Sequence, residues 1–137
     1  IQDRKIYITG HSLGGAMATI CAKRFQEEGL ENLCLYTYGS PRVGDRRWVK
    51  SLQVPHYRFQ NNNDVVCRVP FWLMGYRHHG KNIYIGYNGK ISKMNMWKRF
   101  LDSMRGRFKA WSKWQFFDGV YDHNISTYAK RVKGYDV

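Results

Sequence analysis

The chain has 137 residues, a length that suits one domain able to bury about two thirds of its unfolded surface. Its 23 Lys and Arg against 10 Asp and Glu give a net charge of +13, which favours anionic partners such as a lipid surface or nucleic acid. Three cysteines, Cys21, Cys34 and Cys67, cannot all pair and imply no disulfide framework, and no apolar run is long enough to span a membrane.

In chain order, the apolar run Ile6-Tyr7-Ile8 with Thr9 reads as a fully buried parallel strand that runs into Gly10-His11-Ser12-Leu13-Gly14, a Gly-x-Ser-x-Gly elbow. Two glycines let the backbone turn sharply from strand to helix, which leaves the Ser12 hydroxyl exposed at the sheet's C-terminal edge. Ser12 is therefore the candidate nucleophile. Gly15, Ala16 and Ala18 are small enough for close helix-on-sheet packing, and Met17, Ile20, Cys21 and Phe25 recur at helical spacing up to a stop at Glu27-Glu28-Gly29. Residues 33–38 form the next expected strand, followed by the turn Gly39-Ser40-Pro41-Arg42-Val43-Gly44 and a short helix through Leu52 that Asp45 is placed to cap. A third strand is expected over residues 56–60, then the polar loop Asn61-Asn62-Asn63-Asp64. Strand, helix, strand, helix, strand is the alternation of a parallel sheet.

Beyond Pro70 the pattern is less regular, with a small hairpin expected from residues 83–87 and 89–92 around Asn88-Gly89. From Met94, the residues Trp97, Phe100, Leu101, Met104, Phe108 and Trp111 recur at helical spacing, with Lys98, Arg99, Arg105 and Lys109 mostly off that stripe. Such a segment suits an ordinary helix packed on the domain, or peripheral contact with an anionic membrane surface. Nine of the thirteen net positive charges lie from Arg77 onward, yet this half carries no nucleic-acid-binding module, so no specific nucleic-acid partner is expected.

Three separated motifs arrive in order: Gly10-His11-Ser12-Leu13-Gly14-Gly15-Ala16, Tyr36-Thr37-Tyr38-Gly39-Ser40-Pro41-Arg42-Val43-Gly44, and Asn63-Asp64-Val65-Val66 with Arg68-Val69-Pro70. Together they resemble the class 3 (fungal-type) lipase family from residue 5 to about residue 130. The resemblance implies the α/β-hydrolase fold and hydrolysis of carboxylic esters, commonly acylglycerols, by a Ser-Asp-His triad. The nucleophile strand comes almost first here, so the expectation is a C-terminal part of that fold, one N-terminally truncated domain over residues 1–137. The upstream strands, any lid and the second oxyanion donor would precede Ile1, and the nucleophile strand would present an unpaired edge.

A serine needs a base, and the base needs an acid to hold its tautomer. Asp64 follows the second strand beyond the nucleophile strand, where this fold's acid usually lies. Asp45 is its rival but fits a helix cap better, and the resemblance also points to Asp64. The order serine, acid, histidine excludes His11 and His56. His78 and His79 follow the acid but resemble the family's non-catalytic Tyr-x-His-x-Gly stretch, and as extended neighbours they make a poor metal pair. His123, in Asp122-His123 ahead of Tyr128, matches the family's remaining pattern and is the expected general base and acid. The backbone N–H of Leu13 is the expected oxyanion donor. The expected partner is a lipid or small ester substrate, with no metal or organic cofactor; phospholipids, or a noncatalytic lipid-surface role, are the alternatives.

Overall fold

The alternation of apolar runs with turn residues gives one five-stranded sheet in a computed structural model that describes residues 4–86, 88–89, 91–92 and 122–133. In chain order the elements are β1 (Ile6–His11), α1 (Leu13–Glu27), β2 (Leu33–Tyr38), α2 (Arg46–Ser51), β3 (His56–Asn61), two short 3-10 turns (Val66–Arg68 and Trp72–Met74), β4 (Lys81–Ile85), β5 (Ile91–Ser92) and α3 (Ile125–Val132). The strands lie in the order β1-β2-β3-β4-β5; the first four run parallel, and β5 returns antiparallel to β4. The helical pattern expected over residues 94–111 lies outside the described residues.

Each face of the sheet carries its own core. On one, Ala18 and Ala22 of α1 pack with Leu33, Leu35, Leu52 and Val54, joined by Ile6, Ile8, Phe25 and Leu30. The small side chains let the helix lie close over β1 and β2. On the other, Phe59, Ile83 and Ile85 pack against Tyr128 of α3, joined by Tyr36, Tyr38, Tyr57 and Val132. Leu33 and Leu35 of β2 face the first cluster and Tyr36 and Tyr38 the second, the period-2 consequence of extended backbone.

Local chemistry sets the element ends. The Asp45 carboxylate accepts from the Trp48 N–H at 2.7 Å, so the expected cap of α2 is made. Asn124 caps α3 in the same way, its side-chain oxygen accepting from Ser126 N–H at 2.8 Å. The hairpin differs from the expectation: β4 starts at Lys81 rather than Ile83, because parallel pairing of Tyr57 with Lys81 and Arg58 with Asn82 draws two polar residues into the ladder. The three cysteines are free thiols.

Candidate active site

Sheet order decides the site. The C-terminal ends of β1, β2 and β3 lie side by side, since His11 registers with Tyr38 and Tyr38 with Phe59. The loops leaving those ends carry Ser12, Gly39 and Asp64, and His123 enters from the residues just before α3.

Ser12 sits between β1 and α1 at φ 57° and ψ −130°, a backbone state that side chains other than glycine adopt only under constraint. The constraint is visible in Gly10: a Cβ there would lie 2.2 Å from the Gly14 carbonyl oxygen, so only glycine lets the turn close. Gly14 itself has open space at that position, so the second glycine of the motif is not held there by sterics. The Ser12 N–H donates to Tyr38 O at 2.9 Å, tying the elbow to β2. Leu13 opens α1, and its N–H has no acceptor one turn earlier in the helix.

Ser12, His123 and Asp64 form one continuous line. Ser12 Oγ is 2.7 Å from His123 Nε2, and His123 Nδ1 is 3.0 Å from both Asp64 carboxylate oxygens. With Nε2 accepting the serine proton, Nδ1 carries the imidazole proton and donates it to Asp64. Asp64 is fully buried, and its charge is met by donors from three directions. Besides His123, it accepts from Val66 N–H at 2.9 Å through Oδ1 and from the Tyr128 hydroxyl at 2.5 Å through Oδ2. Burial first, and then the adjacent Cys67 and the Asp64 carboxylate, raise the Tyr128 pKa, so the phenol stays a donor. Burial first, and then the Asp64 carboxylate, push the Cys67 thiol up to about 12, which keeps it neutral beside the acid.

The residue before the histidine locks its loop. Asp122 is buried, and its Oδ2 accepts from Asn62 Nδ2 at 3.0 Å and from Asn63 N–H at 3.2 Å, while Oδ1 lies 3.6 Å from Arg131 Nη1. Asn61 Nδ2 donates to Asp122 O at 2.8 Å, and the Arg131 guanidinium donates to Asn61 Oδ1. The asparagine run expected only as a polar loop thus holds the segment that bears His123 against β3.

The rival residues are engaged elsewhere. Asp45 is the α2 cap, His78 Nε2 donates to Cys67 O at 2.8 Å, and His56 and His79 pair with each other at 3.1 Å. Among the described residues no group of three His, Cys, Asp or Glu side chains gathers to hold a metal ion. Two contributors carried no distinguishing signal in the sequence. His11 does not reach Ser12; its ring stacks on His123 at 4.7 Å, and its Nε2 donates to His123 O at 2.7 Å. Gly39, at φ 59°, leaves room for the pair itself, since a Cβ there would stand 2.7 Å from Asp64 Oδ2 and 3.0 Å from His123 Nδ1.

Comparison with known proteins fits this geometry. Residues 1–74 match the family model Lipase (class 3), a span that includes Ser12 and Asp64 and stops before His123. The chain is 44% identical over 91 residues to a lipase of Rhizomucor miehei, covering 61% of this chain and 25% of that protein. It is 45% identical over 73 residues to Toxin TseL of Vibrio cholerae, covering 51% of this chain and 11% of the toxin. Among solved structures, the lipase from Rhizopus microsporus var. chinensis is similar with a TM-score of 0.57 and 38% identity, over 61% of this chain and 31% of that one. A triacylglycerol lipase whose catalytic centre is formed by a serine protease triad gives a TM-score of 0.59 and 40% identity, over 65% of this chain and 36% of that one. The chain spans a quarter or less of the length of these two curated relatives. Its partial α/β-hydrolase sheet, its ordered motifs and its match over more than half its length agree, and the chain belongs to the class 3 lipase family.

Proposed function

We propose that the chain carries the catalytic residues of a serine ester hydrolase of the lipase type. The observation that supports this most is the unbroken line from Ser12 Oγ through His123 to the buried Asp64 carboxylate, at 2.7 and 3.0 Å. Ser12 Oγ attacks the ester carbonyl carbon while His123 Nε2 takes its proton, and Asp64 holds the imidazole tautomer and stabilises the imidazolium. Negative charge develops on the former carbonyl oxygen, where the Leu13 N–H at the start of α1 is the donor in reach of an elbow serine. Collapse of the tetrahedral intermediate expels the alcohol, which takes its proton from His123 and leaves an acyl group on Ser12. Water, deprotonated by His123, then attacks the acyl carbon and frees the acid.

Acylglycerols are the proposed substrates, on the strength of relatives named as mono- and diacylglycerol lipases and of the triacylglycerol lipase structure. Contact with an anionic lipid surface is part of the same proposal, supported by the net charge of +13. Turnover of a panel of acylglycerols and phospholipids by the full-length protein and its Ser12→Ala variant tests the reading. Hydrolysis of glycerides that falls about a thousandfold or more in the variant is expected, and turnover retained in the variant would exclude Ser12 as nucleophile.

A further inference from the structure

Seven to ten residues after Asp64 the chain does something unusual for a folded domain. Phe71, Trp72, Leu73 and Met74 are four consecutive large apolar residues, and all are exposed, Trp72 at 58% and Leu73 at 78%. Val65, Val69 and Tyr76 on either side are exposed too. Single exposed apolar residues are ordinary on a protein surface, but a contiguous run of this size marks a surface that something covers.

The run is also held in shape. Residues 72–74 form a 3-10 turn closed by Met74 N–H to Phe71 O at 2.9 Å and Gly75 N–H to Trp72 O at 3.1 Å. Arg77 Nη1 donates to Trp72 O and Tyr76 O at 2.7 and 2.9 Å from one side. From the other, the Arg42 guanidinium donates to Pro70 O at 2.8 Å and to Arg68 O. Arg77 N–H also pairs with Gly44 O at 2.7 Å, so α2, which opens with the exposed Arg46 and Arg47 after Asp45, starts two residues from the strand pairing at the base of the turn. Burial, then the nearby Arg77 charge, lower the Arg42 pKa, in keeping with two guanidinium groups close together. An apolar tip is therefore set on a cationic collar, with one exposed carboxylate among the arginines of that base.

We propose that the turn at residues 71–74 is a docking finger for an anionic lipid surface, its apolar tip entering the acyl region while the collar arginines meet headgroup phosphates and carboxylates. A phospholipid bilayer matches both halves of this pattern, since it offers hydrocarbon below a negative headgroup layer, and bulky aromatic and aliphatic side chains next to cations are what interfacial segments use. The finger lies on the acid loop, one to two turns beyond Asp64, whose Oδ1 accepts from Val66 N–H in the same loop. Docking there sets the elbow at the surface from which a lipid ester would be drawn. In that respect the inference rests on the lipase reading, but the docking itself is measured apart from turnover.

The test is co-sedimentation of the full-length protein with phosphatidylcholine vesicles, with and without phosphatidylserine, at low and high salt. Wild type should partition onto the anionic vesicles, and more weakly as salt rises. Leu73→Asp should cut that partition about tenfold or more, and Leu73→Trp, which no folding defect would mimic, should raise it. Ser12→Ala should bind as wild type does, so loss of turnover without loss of binding separates the two claims. Absence of anionic-vesicle binding, or binding indifferent to both Leu73 variants, would overturn the proposal. Dimers in wild type that dissociate in Leu73→Asp would overturn it as well, by showing that the finger seats a second copy.

Discussion

The Tyr128 hydroxyl donates to Asp64 Oδ2 at 2.5 Å while accepting from the Asn61 N–H at 2.9 Å, so one buried phenol joins α3, the acid and the end of β3. Tyr128→Phe keeps the ring packing and removes both bonds. It should lower stability by about 1–3 kcal/mol, since a buried backbone N–H and a carboxylate oxygen each lose a partner. Ester kcat should fall with it while the protein remains folded. Thermal unfolding and kinetics of the variant check this, and an unchanged kcat would remove Tyr128 from the support of Asp64.

Gly39→Ala is expected to do most of its damage at the site rather than to the fold. The added methyl would meet Asp64 Oδ2 at 2.7 Å and His123 Nδ1 at 3.0 Å, at a φ of 59° that costs a non-glycine residue about 1–2 kcal/mol. Prising those two groups apart by a fraction of an ångström should reduce turnover by roughly a hundredfold. Steady-state kinetics beside a circular-dichroism melt would show it; near-normal turnover would contradict the crowding.

Acid should loosen the far side of the sheet through His56 and His79. His79 Nε2 must donate to Leu52 O at 2.9 Å, so its Nδ1 accepts from His56 Nδ1–H at 3.1 Å, and His56 Nε2 accepts from the Thr37 hydroxyl at 2.8 Å. That chain needs both rings neutral. Burial first, then the repulsion a proton on His56 would feel from Arg58 and from protonated His79 or His78, lower His56 to about 3, and burial lowers His79. Because the folded values lie below the unfolded 6.5, the unfolded chain binds protons first. The stabilisation is complete above about pH 6.5 and is lost as pH falls from there toward 3, a change of a few kcal/mol. The slope of melting temperature against pH over this range should flatten in His56→Gln; an unaltered slope would assign the acid sensitivity elsewhere.

Among the described residues β1 pairs with β2 alone, which leaves its other side as a sheet edge with Tyr7 exposed on the strand. The 137-residue chain on its own should therefore self-associate as its concentration rises. Size-exclusion chromatography over a hundredfold concentration range would reveal this, and a monomer throughout would argue against an open edge.

Much of this was legible in the residues because it depends on local pattern. The elbow, the bounds of α1 and the Asp45 cap each follow from a few neighbouring side chains, and chain order together with the family resemblance singled out Asp64 and His123. What stayed hidden depends on partners distant in sequence. His11 ends a strand like any other residue, and only the return of the chain 112 positions later brings His123 onto its ring. Gly39 reads as a turn glycine until Asp64 and His123 converge beside it. Likewise Lys81 and Asn82 have no strand-like hydropathy and join β4 through their partners on β3. The exposure of residues 71–74 runs against the ordinary inference that an apolar run is buried.

The most direct measurement of the central claim is intact-mass detection of a serine-directed fluorophosphonate on the full-length protein, on Ser12→Ala and on His123→Ala. A single adduct on wild type, none on Ser12→Ala and a strongly slowed reaction on His123→Ala is the result predicted by a serine activated across 2.7 Å by His123. An adduct that persists on Ser12→Ala, or forms at the wild-type rate on His123→Ala, would contradict it.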